Sequence, residues 1–296
     1  MPRSIRIYPI TTSSFLLRAA LPLLVAALPL RGVAGETPTA PFPHQILDRV
    51  LEKHVADTGE IDYRALQLQQ HDLAAYVDSL ALVSPKSHGS RFSGTGDRLA
   101  YWINAYNALV LKGVVAAYPV ASVMAIVTEG WFFREQKFVV GGVEMTLDHL
   151  ENRIIRPEFR DARIHFAINC AAASCPRLEN RAFDGPTLEQ RLEAATKRFS
   201  RTASHVRIDR DARTVYLSKI MEWFAGDFQA DSSAPNQNGH GALSPQLRFL
   251  LPYLPPSDAE YLRGNPDIAV TFVEYDWALN ERVYPDPEPD RDSGVN

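Results

Sequence analysis

The stretch that most constrains this chain is "RLAYWINAYNALVLKGVVAAY", Arg98 to Tyr118. It is apolar on nearly every side and far longer than a strand, so it reads as a helix. A helix that is apolar nearly all round belongs inside a core, with other elements packed over each of its faces. Asp97 stands where an N-cap is expected, and Pro119 ends the run. Within the run, Asn104 and Asn107 are three apart and share a face with Ala100 and Leu111. A buried amide must find partners or cost about 1–3 kcal/mol. Two readings are open: the pair is aimed at a pocket or an oxyanion, or it bonds loop backbone and holds a crossing segment.

Shorter elements surround this helix. "HQILDRVLEKHV" places Ile46, Leu47, Val50 and Leu51 on one helical face, and "LAAYVDSL" does the same through Leu73, Tyr76, Val77 and Leu80. Residues 84 to 96 are a polar loop. "KFVVGGVEM" reads as two short strands joined at Gly141-Gly142. Thr146 caps a helix, "LDHLENRIIR", expected to stop at Pro157, and "RIHFAIN" is a short apolar strand candidate. "GPTLEQRLEAATKRF" is a helix with Thr187 and Gln190 in capping-box spacing. "VRIDRDARTVYL" reads as a hairpin, Ser218 caps "KIMEWFAGDF", residues 230 to 244 are a low-complexity surface loop, and "IAVTFVEYDW" is a strand. Helices and strands do not alternate regularly. The expected fold is therefore a single α+β domain, predominantly helical, with a small, largely antiparallel sheet.

The first 35 residues read differently. Arg3, Arg6 and Arg18 precede the apolar run "AALPLLVAALPL", and small residues follow at Gly32 to Gly35. That order fits a secretory leader, and Pro22 and Pro29 weigh against a spanning anchor. The domain is then expected over 36–296, secreted or periplasmic, in a compartment where disulfides persist. The 296 residues carry a net charge of -4 with no long Lys/Arg run, which gives no footprint for nucleic acid. GxxxxGK[ST], HExxH and GxSxG are absent, and no His pair has ligand spacing, so no metal or cofactor is implied.

Two polar features beyond the amide pair carry the chemistry. Glu151 lies among Leu147, Leu150, Ile154 and Ile155 at helical spacings. A half-buried carboxylate needs a cation or several donors, and Arg153, Arg156 and His165 are candidates. Glu151 either orients His165 or pairs with an arginine. The other feature is "HFAINCAAASCPRL", residues 165 to 178, which holds His165, Asn169 and both cysteines of the chain. As a strand it would place His165 and Asn169 on one face and Cys170 on the other, so Cys170 meets His165 only if the chain bends at Asn169. Three readings follow: a thiolate paired with imidazole, a Cys170–Cys175 disulfide stapling the turn, or two inert buried thiols.

Assembled, "LAYWINAYNALVLKGV", "TLDHLENRIIRP" with "RIHFAINCAAASCPRL", "VYLSKIMEWFAGDF" and "FVEYDWALN" resemble the DUF547 family in its order, over roughly residues 45 to 280. The resemblance implies one domain of an exported bacterial protein and no agreed activity. It also implies that the first cysteine position matters for more than a disulfide, since intracellular relatives keep it without always keeping the second. In one respect the chain departs from the family: Asn152 follows Glu151 where a histidine often stands. The sharper functional expectation is a thiol-dependent hydrolase or transferase acting on a peptide or cell-envelope substrate. Cys170 would be nucleophile, His165 general base, Glu151 its orienter, and Asn104 or Asn107 an oxyanion donor. The alternative is a non-catalytic module that binds a small molecule, peptide or protein.

Overall fold

Burial of the long apolar run organises the structure, a computed structural model that describes residues 41–126, 131–231 and 243–283. The expected leader and most of the low-complexity loop lie outside these residues. Helix α4 (Thr95–Ala117) buries every residue from Leu99 to Leu111. It begins earlier than expected, with Gly94 as N-cap. Asp97 acts from inside the first turn, where its carboxylate accepts from the backbone N–H of Ser93 at 3.0 Å and from the Ser93 hydroxyl.

On one side lie α1 (Gln45–His54), α2 (Tyr63–Leu68) and α3 (His71–Leu82), with α2 and α3 against α4 and α1 against α3. Near the other end of α4 is α5 (Trp131–Arg134). Gly113 makes that approach possible, since a Cβ there would fall 2.1 Å from the Phe132 ring. The hairpin β1 (Phe138–Val140) and β2 (Val143–Met145) forms as expected, with Phe138 opposite Met145. Gly141 and Gly142 take φ of 60° and 82°, the double positive φ of a tight hairpin turn. Their N–H groups donate to Leu80 and Ala81 at the end of α3.

The next helical stretch differs from its expectation. Thr146 caps α6 (Leu147–His149), the helix widens into a π-helical turn (Leu150–Ile155), and it continues as α7 (Arg156–Phe159). Pro157 does not stop it. The proline falls in the opening turn of α7, where a missing N–H costs little. "RIHFAIN" is not a strand: Ala162–Phe166 is a 3₁₀ helix. Ala162 and Phe166 face one hydrophobic cluster, while Ile164, Ala167 and Ile168 face the other, so the run is apolar on both sides and pairs with no strand among the described residues.

Beyond it come α8 (Leu188–Ser200), β3 (Val206–Asp209), β4 (Thr214–Leu217), α9 (Lys219–Trp223), α10 (Ala225–Asp231), α11 (Pro245–Leu250), α12 (Pro256–Gly264) and β5 (Ala269–Phe272). The expected Thr187 capping box does not form. The Thr187 N–H and hydroxyl are both spent on Asp184. Ser218 does cap α9, accepting from Ile220 N–H. β4 pairs antiparallel with β3 and parallel with β5; with the separate β1–β2 hairpin, two of the three strand pairings among the described residues are antiparallel and both sheets are small. The fold is α+β and predominantly helical. No helix among the described residues is long and apolar enough to cross a membrane.

Candidate functional site

The opening residues of the site are set by the amides of α4. Asn107 Oδ1 accepts from Asn169 N–H at 2.8 Å, and its Nδ2 donates to Ala167 C=O at 3.0 Å. Asn104 treats Phe183 the same way, accepting from its N–H and donating to its C=O at 2.8 Å each, with His44 Nδ1 3.0 Å away. Both side chains are buried and hold crossing backbone. Neither lines the cavity described below.

Held by Asn107, the chain turns sharply at Asn169. Asn169 Oδ1 accepts from Ala171 N–H at 2.8 Å and Nδ2 donates to Pro176 C=O at 2.7 Å. Ala171 is buried in the left-handed region at φ 67°, a conformation costly for a residue with a Cβ and kept only where its surroundings fix it. The fixing comes from the C-terminal segment. Asn280 N–H donates to Ala171 C=O, Ala173 N–H to Ala278 C=O and Ser174 N–H to Asp276 C=O. Across this turn Cys170 and Cys175 form a disulfide, with Cα atoms 6.3 Å apart.

The disulfide forms part of the wall of a cavity of about 460 Å³. Tyr106, Phe133, Trp223, Phe224, Tyr275 and Trp277 supply its aromatic surface, and Glu151, Asp148, Arg134 and His165 its ionisable groups. Trp223 stacks on Trp277 with ring centres 5.7 Å apart, and Tyr275 touches both. Of the residues expected from the sequence, Glu151, His165 and Cys170 therefore meet here, and the two asparagines do not.

Their partners are other than expected. His165 is oriented by Asp227 on α10, Nε2 to Oδ2 at 2.8 Å. Arg156 grips the same carboxylate with both arms, Nε to Oδ2 at 2.6 Å and Nη2 to Oδ1 at 2.9 Å. Burial opposes ionisation of Asp227, but the hydrogen bonds from His165 and Arg156 outweigh it and hold the carboxyl well below the usual range. Burial also lowers His165, against the pull of Asp227. A neutral imidazole beside an ionised carboxylate carries its proton on Nε2. That leaves Nδ1 as an acceptor, and it is buried with no hydrogen-bond partner among the described residues. His165 and the Arg156 guanidinium both lie against Phe224, at 3.9 Å and 4.9 Å from its ring centre.

Glu151 stands apart from this pair. Burial raises its carboxyl to about 7, against the field of Arg156 and a hydrogen bond with Tyr106. Burial likewise raises Tyr106, so its hydroxyl stays protonated as donor. Asn152 bridges: it donates to Asp148 at 3.0 Å and accepts from Arg156 at 2.6 Å. Asp227 and Tyr275 were missed by sequence reasoning. Each sits in a quoted motif, "EWFAGDF" and "FVEYDW", but neither lies on an apolar stripe that would have marked it as buried. Among the described residues no group of three or more His, Cys, Asp or Glu side chains is placed to hold a metal ion.

Residues 90–199 match the family model DUF547, described as a protein of unknown function. Over that stretch the chain is similar to the DUF547 family. The matched segment contains Asn104, Asn107, Glu151, His165 and both cysteines, whereas Trp223, Phe224, Asp227, Tyr275 and Trp277 come from beyond it. No curated protein and no solved structure matches the chain.

Proposed function

We propose that this chain is a binding module whose cavity takes a small organic molecule, or the end of a peptide, that combines an apolar body with a protonated amine. The observation that carries the reading is Glu151. Its carboxyl lies in an aromatic-walled cavity with Tyr106 as a hydrogen-bonding side chain, while Arg156, whose field it feels, has its guanidinium forked on Asp227. A carboxyl held near 7 by desolvation is stabilised in its charged form by an incoming cation, and aromatic faces add cation–π attraction. The thiol-hydrolase reading needs a free thiolate at Cys170, and the oxidised pair offers none.

The test is titration of phenethylamine and its neutral alcohol counterpart, followed by tryptophan fluorescence, since Trp223 and Trp277 line the cavity. The amine stays protonated throughout, so its affinity should rise by about tenfold between pH 6 and pH 8 as Glu151 ionises. Glu151→Gln should weaken the amine and remove that pH dependence. Equal binding of amine and alcohol at pH 8, or the same pH dependence in the Gln variant, would defeat the reading.

A further inference from the structure

The two sulfurs of the cavity wall are not equivalent. Cys170 is half-buried, while Cys175 is 9% exposed. Cys175 Sγ accepts from the Cys170 backbone N–H at 2.9 Å and from the Tyr275 hydroxyl at 3.1 Å. Burial raises Tyr275, so it remains a donor. The Tyr275 hydroxyl is also 3.2 Å from Cys170 Sγ.

The turn, moreover, is held by many contacts besides the S–S bond. Asn107, Asn169 and the segment from Asp276 to Asn280 bind its backbone at Asn169, Ala171, Ala173, Ser174 and Pro176. A disulfide with a sequence separation of five closes a very short loop and removes little chain entropy. A staple is thus a poor account of why this bond faces a cavity.

We infer that the Cys170–Cys175 disulfide is a thiol–disulfide exchange site for a low-molecular-weight thiol, with Cys170 the attacked sulfur and Cys175 the leaving group. The thiolate R–S⁻ attacks Cys170 Sγ in line with the S–S bond. That bond breaks, its electron pair leaves on Cys175 Sγ, and the product is a Cys170–S–S–R mixed disulfide with a Cys175 thiolate. The Cys170 N–H already points at the sulfur on which charge develops, and the Tyr275 hydroxyl stands within reach to donate to it. Donors to a leaving thiolate lower its basicity and speed exchange. A second R–S⁻ attacks the sulfur of R, releasing Cys170 thiolate and R–S–S–R. Two thiols are oxidised, the protein disulfide is reduced by two electrons, and the two thiol protons pass to the cysteines. The fixed turn holds both sulfurs ready for reclosure. None of this depends on the charge of Glu151 or on which ligand the cavity prefers.

The experiment uses the oxidised full chain and β-mercaptoethanol, a neutral thiol, with acid quenching at intervals, alkylation of free thiols and assignment of the adduct by fragment ions. The mixed disulfide should sit on Cys170, with about tenfold less on Cys175, and should form without denaturant. Tyr275→Phe should slow its formation by about tenfold by removing one donor from the leaving sulfur. Cys175→Ser, whose one thiol is Cys170, should take a single adduct from the disulfide of β-mercaptoethanol without denaturant, releasing one equivalent of the thiol; the quenched parent protein reports the accessibility of Cys170 if that variant does not fold. An adduct chiefly on Cys175, reduction only after unfolding, or an unchanged rate in Tyr275→Phe would overturn the inference. Failure of amine binding with preserved exchange at Cys170 would remove the ligand proposal alone.

Discussion

Replacing Asn107 with leucine tests the central claim about the long helix, that its amides are backbone clamps. The side chain is 4% exposed, and it is the only hydrogen-bond partner found for Asn169 N–H and Ala167 C=O among the described residues. Leucine is close in size and fills the space, but it leaves both backbone groups buried and unpaired. Each orphaned group costs about 1–3 kcal/mol, and the added apolar surface returns about 1–2 kcal/mol. The net loss should be about 1–4 kcal/mol, which at a urea slope of about 3 kcal/mol/M lowers the unfolding midpoint by about 0.3–1.3 M. Asn107→Asp sharpens the test. A protonated carboxyl can accept from Asn169 N–H and donate to Ala167 C=O, whereas the ionised form places a buried charge against a carbonyl. The aspartate pKa is thereby raised in the folded state, so stability relative to the parent is present at acid pH and lost as pH rises through that value. An unchanged midpoint for the leucine variant, or an aspartate variant with no pH dependence relative to the parent, would show that the amide does not carry the turn.

Two further outcomes follow from the buried charges. Arg156→Met leaves Asp227 without its fork and should cost about 2–3 kcal/mol at pH 7. Because the Asp227 pKa is depressed in the folded state, that stabilisation is present above the unfolded value and is lost only as pH falls through the much lower folded value, so urea midpoints of variant and parent should still differ near pH 3 and draw together only in stronger acid. His205 is pushed down to about 4 by burial and stacks on Phe199. Between pH 6.5 and 4 the unfolded chain takes up a proton that the folded one refuses, so stability falls with pH by up to roughly 3 kcal/mol from this residue. His205→Phe should flatten that slope, and an identical acid profile would refute it.

How much of this was legible in the sequence depended on periodicity and range. The long helix, the Gly141-Gly142 hairpin and the Thr146 and Ser218 caps were all readable, because each is decided within a few residues. "RIHFAIN" was misread as a strand because a short apolar run has no period of its own. What makes it apolar is its seat between two clusters, and that is set by segments far along the chain. The same applies to the π turn, which keeps Leu150, Ile154 and Ile155 buried while the helix runs on past Pro157. At the site, the anomalous Glu151 and the His165–Cys170 run were visible as polar residues in apolar surroundings. Asp227 was not, since it joins Arg156 and His165 across 71 and 62 residues from a short helix with ordinary surface composition.

The family segment and the site do not coincide, and that bears on how the cavity works. Residues 90–199 bring Glu151, Asp148, His165 and the disulfide, the groups with chemistry. Much of the wall they face is made by Ile220, Trp223, Phe224, Tyr275 and Trp277, from beyond residue 199, with Tyr106 and Phe133 from within the segment. Asp227, which fixes His165 and Arg156, lies beyond it too. Phe166, inside the segment, packs on Phe228 and Phe249 outside it. The polar half therefore has neither its orientation nor its enclosure without the later chain. Desolvation raises Glu151 only because the cavity is walled, and Cys175 has a side-chain donor only because Tyr275 is delivered by the segment after β5. Chains that share the 90–199 pattern but differ in the later wall would keep the same titratable groups with different pKa values and different ligands. Under the proposed function, the aromatic residues from 220 to 277 together with Tyr106 and Phe133 shape what the cavity admits, and the ionisable groups from 148 to 165 set its charge.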